Sequence, residues 1–487
     1  MSSPTGYGEI EAPIPPVFRR LLVNTLVTGV TSSFLWFALT FWVYLETRSV
    51  VATGVIGGAF SISSAVLGPI FGTFVDRHRK KTALMATTAI AAACFALASA
   101  VYAIAPTDEL LHMGSPWFWL LVAVTLVGSV TAQMRGIALS TCVTLLVPAG
   151  ARDRANGMVG TVTGISFAIT AVFSGLVIGQ LGMGWAYGAS LTLTVLALVH
   201  MATIDIAEPE IERTDSEPAA PLLDIRGALE SISAAPGLMM LILLAAFNNL
   251  VAGVFLALMD AYGLELVSVE EWGLLWGVIS LAFIAGGLLV AKFGLGKSPV
   301  RIVLAGNFVN WAVCSVFALR SSIVLVTVGM IVWLALVPVI EAAEQTVLQR
   351  AIPYERQGRV FGFAQMIENS ASPLTAFLMA PLAEAVFMPF MTDGKGADWI
   401  GDWFGTGPAR GIALMFTLAG IIGMVVTALA WTSRSYRQLS RVDSGVGDRD
   451  GDAPGGDRSD IDELPFGRVD HRVVGGQRTG TTTAEET

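Results

Sequence analysis

Long apolar runs separated by short charged loops constrain this chain more than any other feature. The clearest break is Gly72-Thr73-Phe74-Val75-Asp76-Arg77-His78-Arg79-Lys80-Lys81, between apolar spans that start at about Val50 and Thr82. Each span is long enough to cross a bilayer of about 30 Å at 1.5 Å per residue. The break therefore reads as a short loop between two membrane helices, and its four Lys and Arg residues place it on the cytoplasmic side. Composition agrees, since 54% of the 487 residues are hydrophobic and only 14% are charged, with a mean hydropathy of +0.67.

Further spans follow at about 21–45, 82–105, 117–147, 158–178 and 185–204. A second set lies at about 237–263, 272–293, 300–319, 322–349, 358–384 and 411–432. The expected fold is all-α, with twelve transmembrane helices in two pseudo-symmetric six-helix bundles. The expected parts are a polar segment 1–16, a first bundle 17–206, a cytoplasmic linker 207–236, a second bundle 237–433 and a disordered acidic tail 434–487. Basic residues gather at Arg19, Arg20, Arg152, Arg154, Lys297, Arg301, Arg356 and Arg434, so both termini are expected in the cytoplasm. The loop from Pro389 to Arg410, rich in Gly and Trp, is expected to fold over the outer mouth.

The net charge of −9 gives no support to nucleic-acid binding, because Asp443 to Glu463 alone holds eight acids. Cys94, Cys142 and Cys314 are far apart in apolar spans, and the four histidines form no cluster, so neither a disulfide framework nor a metal site is expected. Gly296-Lys297-Ser298 lacks the earlier glycine of a phosphate loop. No catalytic residue, metal or cofactor is assigned, and the chain is not expected to be an enzyme.

The halves look like copies. Asn24-Thr25-Leu26-Val27-Thr28-Gly29-Val30 matches Asn248-Asn249-Leu250-Val251-Ala252-Gly253-Val254. Pro148, Arg154 and Gly157 recur at the same spacing as Pro353, Arg359 and Gly362. Gly72 onward has a weaker partner in Gly287 to Lys297.

With its loop in register at Gly72, Asp76, Arg77, Lys80 and Lys81, the chain resembles the major facilitator superfamily of secondary transporters over about residues 17–433. Arg79 stands where that pattern has its second glycine. Pro353 to Arg359 and the long last outer loop look most like the twelve-span drug efflux branch that includes macrolide exporters. The antiporter run of helix five appears only as Ser174-Gly175-Leu176-Val177-Ile178-Gly179, without its proline. The resemblance implies alternating access, a working monomer, a bacterial inner membrane, and a cavity lined by the first and tenth helices.

Charges inside the spans are the strongest functional signal, because each costs at least about 2.5 kcal/mol at mid-membrane. Asp260, Glu341, Glu344 and Glu368 are the proton-coupling candidates. Glu341 and Glu344 are three apart and share a helix face. Arg135, Trp36 and Asn248 are the cavity candidates. Arg135 is expected either to face the acids across the cavity or to join the halves as a static ion pair, and Trp36 either to stack on substrate or to pack in the core. Gly72, Asp76, Arg77, Lys80 and Lys81 are expected to lock the inner faces, with Asp76 pairing to an Arg or a helix N-terminus. Export of a lipophilic small molecule by proton antiport is the expected activity. Uptake or facilitated movement by the same fold, and a non-transporting sensor or assembly partner, are the rivals.

Overall fold

A computed structural model describes residues 13–47, 50–208 and 223–443. The expectations for 1–12, for 209–222 and for the tail beyond 443 lie outside the described residues. The first half contributes helices α1 (Pro16–Thr47), α2 (Val50–Arg77), α3 (Lys80–Ile104), α4 (Pro116–Leu146), α5 (Arg152–Gln180) and α6 (Met183–Ala202). The second contributes α7 (Leu238–Leu264), α8 (Val269–Phe293), α9 (Pro299–Val316), α10 (Ile323–Ala351), α11 (Gln357–Leu382) and α12 (Pro408–Thr432).

Ten helices among the described residues are long and apolar enough to cross a membrane.

Local chemistry sets the helix ends. Pro116, Pro299 and Pro408 occupy first turns, where their missing N–H leaves no gap. Ser268 and Glu271 form a reciprocal capping box at the start of α8, with bonds of 3.3 and 3.0 Å. Consecutive helices run in opposite directions: Phe18 and Leu84 from helix starts share one buried cluster with Val75 and Val143 from helix ends, at the level of Asp76.

Within the first half α3 packs on α4 and α6, and α1 on α4, α5 and α6; in the second α9 packs on α10 and α12, and α7 on α12. Across the halves α2 crosses α11 and α5 crosses α8. Glycine lets backbones meet there. A methyl at Gly72 would lie 2.2 Å from the Gly358 carbonyl oxygen, and one at Gly287 would lie 2.6 Å from the Thr161 nitrogen. The matched segments of the two halves thus build matched crossings.

The apolar core divides unequally. Toward the Asp76 end one cluster draws on both halves, including Phe18, Val75, Val143, Val290, Ile340 and Phe361. At the far end there are separate clusters, one around Leu35, Phe118 and Tyr187 and another around Phe255, Trp311 and Phe416. Among the described residues, the buried cluster that draws on both halves is the one toward the Asp76 end.

The linker contains a helix, Ile225–Ala234, started by Asp224, whose carboxylate accepts from Gly227 N at 2.8 Å. The tail does not begin at 434, because Arg434–Asp443 is helical. There Leu439 is buried with Tyr436 beside it, and the spacing of three puts both on one face. The connection from Pro389 to Arg410 contains helices, Met388–Thr392 and Lys395–Phe404, which lay Met391 and Phe404 on the far-end cluster of the second half.

Candidate functional site

The second half encloses a cavity of about 320 Å³ between α7, α9, α10 and α11. Three of the four candidate acids line it: Glu341 and Glu344 from α10 and Glu368 from α11, joined by Asn248 from α7. Their spacing explains part of this arrangement, since residues three apart on a helix share a face. The rest comes from α11, whose close glycine contact with α2 fixes its position.

The acids lack the partners that would make them structural. No ion pair involves Glu341, Glu344 or Glu368 among the described residues, and Glu344 Oε1 is buried without a hydrogen bond. Asn310 on α9, 4% exposed, likewise has an unpartnered carbonyl oxygen at this cavity. Asn248 Oδ1 accepts from Trp311 Nε1 at 3.0 Å, and Trp333 adds a second indole to the wall. Glu341 also borders a cavity of about 70 Å³ between α4, α5 and α10. It thus touches the seam between the halves as well as the main cavity.

Arg135 does not face these acids, contrary to expectation. Its guanidinium donates to Asn24 Oδ1, to Thr88 Oγ1 at 2.8 Å and to Leu84 O at 3.5 Å, all within the first half. Asn24 Nδ2 in turn donates to Ala197 O at 2.7 Å, so the cation ties α1, α3, α4 and α6 together. A buried charge is tolerated where polar groups surround it, and this one is 4% exposed. Neither the cross-cavity pair nor the static ion pair between halves is present.

Asp260 lies apart from the other acids, exposed near the far end of α7, where Trp272 and Trp276 donate to its Oδ1 at 3.0 and 3.1 Å. Trp36 stacks on Phe60 with ring centroids 4.3 Å apart and does not line the acid cavity.

At the Asp76 end, α2 and α11 are held by a carboxylate. Asp76 accepts from Gly358 N at 2.6 Å and Arg359 N at 3.0 Å, in the first turn of α11, and from Arg359 Nε at 3.1 Å. An acid at a helix N-terminus meets unpaired N–H donors and the positive end of the helix dipole. Arg359 Nη1 then donates to Asp224 at 2.7 Å, so the linker joins the contact.

Lys80 is buried, donating from Nζ to Val75 O at 2.8 Å, with its ammonium 4.9 Å from the Tyr354 ring centre. The backbone N–H groups of Lys80 and Lys81 both donate to Glu208, at 2.7 and 2.9 Å. Arg77 closes the last turn of α2. Arg79 has φ −56°, a conformation open to any residue, so the missing glycine introduces no strain.

Sequence reasoning missed several groups here. On the other side of the seam, Asp153 accepts from Leu295 N at 2.8 Å, and Asn156 donates to Thr346 and Gln349 at 2.9 Å each. Asn307, Asn310, Trp311 and Trp333 had no individual signal, because which face of an apolar helix meets a cavity depends on its neighbours. Asp153 and Asp224 could have been found as acids flanking helix starts, whereas Glu208 reaches the start of α3 only through the fold. Among the described residues no group of three His, Cys, Asp or Glu is arranged to hold a metal, and all three cysteines are free.

A sequence model described as the Major Facilitator Superfamily matches residues 21–376. The chain belongs to the Major Facilitator Superfamily. It is 24% identical over 378 residues to macrolide efflux protein A of Streptococcus pyogenes, covering 76% of this chain and 90% of that one. It is 22% identical over 390 residues to the enterobactin exporter EntS of Shigella boydii, covering 76% and 88%. Among solved structures, a bacterial homologue of the iron transporter ferroportin in an outward-facing state aligns with a TM-score of 0.65 and 15% identity. That match covers 86% of this chain and 100% of the other. The proton:xylose symporter XylE aligns with a TM-score of 0.56 at 13% identity, over 84% and 95%. This superfamily member is therefore a multi-pass membrane transporter rather than an enzyme, with efflux proteins among its relatives.

Proposed function

We propose that this superfamily member exports a lipophilic small molecule in exchange for protons, by alternating access between two six-helix bundles that together cross the membrane twelve times. The cavity of the second half carries this reading: three carboxylates, an unpartnered amide oxygen and two indoles meet there, with no protein cation among them. A carboxylate free of a fixed partner can exchange a proton for a substrate without breaking an internal salt bridge. The indoles supply apolar, polarizable walls suited to a lipophilic molecule.

The bundles are taken as 17–206 and 237–433, with Asp76 and the basic loop ends in the cytoplasm of a bacterial inner membrane and both termini on that side. On this assignment the shared apolar core closes the cytoplasmic face. Asp76, with Gly72 beneath it, is the latch of that state, and Arg77, Lys80 and Lys81 frame it. Opening inward must break its bonds to the first turn of α11. The working unit is one chain.

The test uses inside-out membrane vesicles with an imposed proton gradient. Labelled tetraphenylphosphonium or a labelled macrolide is expected to accumulate inside, and to leave again when nigericin removes the gradient. Equilibration without accumulation would indicate a facilitator, and binding without movement a sensor.

A further inference from the structure

Helix Lys395–Phe404, in the connection between α11 and α12, takes no part in the cavity. At about 100° per residue its side chains fall into three sectors. Gly396, Ile400 and Phe404 point into the protein, with Gly396 and Phe404 buried and Ile400 packed on the second-half cluster. Asp398 and Asp402 lie opposite, both exposed. Trp399 and Trp403 occupy one flank between these sectors, 75% and 52% exposed. Large indoles left this open on a folded protein call for a partner.

The helix sits where the bilayer surface should be. α12 starts four residues after Phe404, and its 25 residues span about 37 Å, against about 30 Å of hydrocarbon. Its first turn therefore reaches the headgroup layer. Below it the open side chains Leu418, Ile421, Ile422, Val425 and Leu429 continue along α12 as an apolar face. The same far end of the molecule carries exposed Trp117 and Trp119 at the start of α4 and Trp185 at the start of α6. Exposed indoles are favoured at a membrane–water boundary.

Arg410 fixes the helix in this posture. Its guanidinium lies 4.1 Å from the Phe404 ring centre and donates to Ala318 O and Leu319 O at 3.0 and 2.9 Å, with Gly405 and Gly407 supplying the positive-φ turns between.

We propose that helix Lys395–Phe404 is an interfacial anchor: Trp399 and Trp403 insert sideways into the headgroup and upper acyl region of the adjacent leaflet, while Asp398 and Asp402 face water. The occupant of this face is lipid. An amphipathic helix at a bilayer surface with an aromatic flank and a charged face has the required chemistry. The connection between α11 and α12 is thereby tethered to the membrane on the side opposite Asp76. This inference rests on the membrane location of the chain and needs neither export nor proton coupling.

Spin labels at positions 398, 399, 402 and 403, introduced singly by cysteine substitution with the native cysteines changed to alanine, test it in phosphatidylcholine–phosphatidylglycerol vesicles. The ratio of oxygen to nickel-chelate accessibility should be several-fold higher at 399 and 403 than at 398 and 402. Equal, water-like ratios at all four positions would overturn the proposal. So would labels at 399 and 403 shielded from both reagents, and dipolar broadening between them would then identify a second copy as the cover. A second measurement keeps the native cysteines: brominated lipid should quench the Trp fluorescence of the unaltered chain more than that of the W399F/W403F double variant. Equal quenching of the two would contradict the anchor.

Discussion

Helices α4 and α10 each carry charge deep in the protein, yet their surroundings differ in kind. Arg135 on α4 is enclosed by Asn24, Thr88 and Leu84, and every one of these partners is in its own half. Glu341 and Glu344 on α10 open onto a cavity with Glu368, where no cation meets them. The two terminal nitrogens of Arg135 are held by these partners while its Nε has none, and a buried charge held at several points is fastened to one arrangement of helices, because moving it would strip those partners away. A buried charge without partners is available to a ligand or a proton. Position in the membrane is the same signal in both cases, so it is the partner set that separates scaffold from site.

The largest predicted effect lies on α10 and α11. Glu344→Gln and Glu368→Gln should each reduce gradient-driven accumulation in inside-out vesicles to the level of empty vesicles, with the protein still folded by size-exclusion profile. Arg135→Met should do the reverse. Losing charged hydrogen bonds in a closed site should cost about 2–4 kcal/mol of stability, read as a lowered thermal midpoint, with transport per folded molecule retained. If Arg135→Met abolished coupling without destabilising the protein, the contrast between the two helices would collapse.

A smaller effect is expected at the latch. Asp76→Asn keeps the shape but loses charge at a side chain that is 1% exposed and meets two backbone donors and Arg359. A weakening of about 1–3 kcal/mol would move a two-state equilibrium by about 5- to 150-fold. Distances between spin labels at the Asp76 ends of α2 and α11 should show the added open population. Asp224→Asn, on the more open side of Arg359, should move the same distances less, by under about 1 kcal/mol. The smallest effect belongs to Asp260→Asn. An amide oxygen still accepts from both indoles, so transport should stay within about two-fold of the unaltered protein.

Much of this architecture was legible in the sequence because membrane helices announce themselves by length and apolarity. Trp117 to Val147 was expected and Pro116 to Leu146 is found. Gly72 and Gly287, paired in the sequence, both lie at close helix crossings. What could not be read was rotation. A helix turns about 100° per residue, so knowing that Arg135 lies on α4 does not say which neighbours it meets. Asn24, its partner, was visible only as half of a repeat. The acid trio was found because charge is rare in a membrane, while Asn307, Asn310, Trp311 and Trp333 are ordinary residues whose part at the cavity depends on packing. Short helices escaped as well. Asp224 starts one inside the polar linker, and Tyr436 with Leu439 anchors another.

The most direct test of the central claim is the number of protons released when the solubilised protein binds substrate, measured with a pH dye in weak buffer. The account predicts release with the unaltered protein and with Asp260→Asn, and none with Glu344→Gln combined with Glu368→Gln, even where that double variant still binds a neutral substrate. Undiminished release from the double variant would contradict it, and would move proton coupling away from the cavity of the second half.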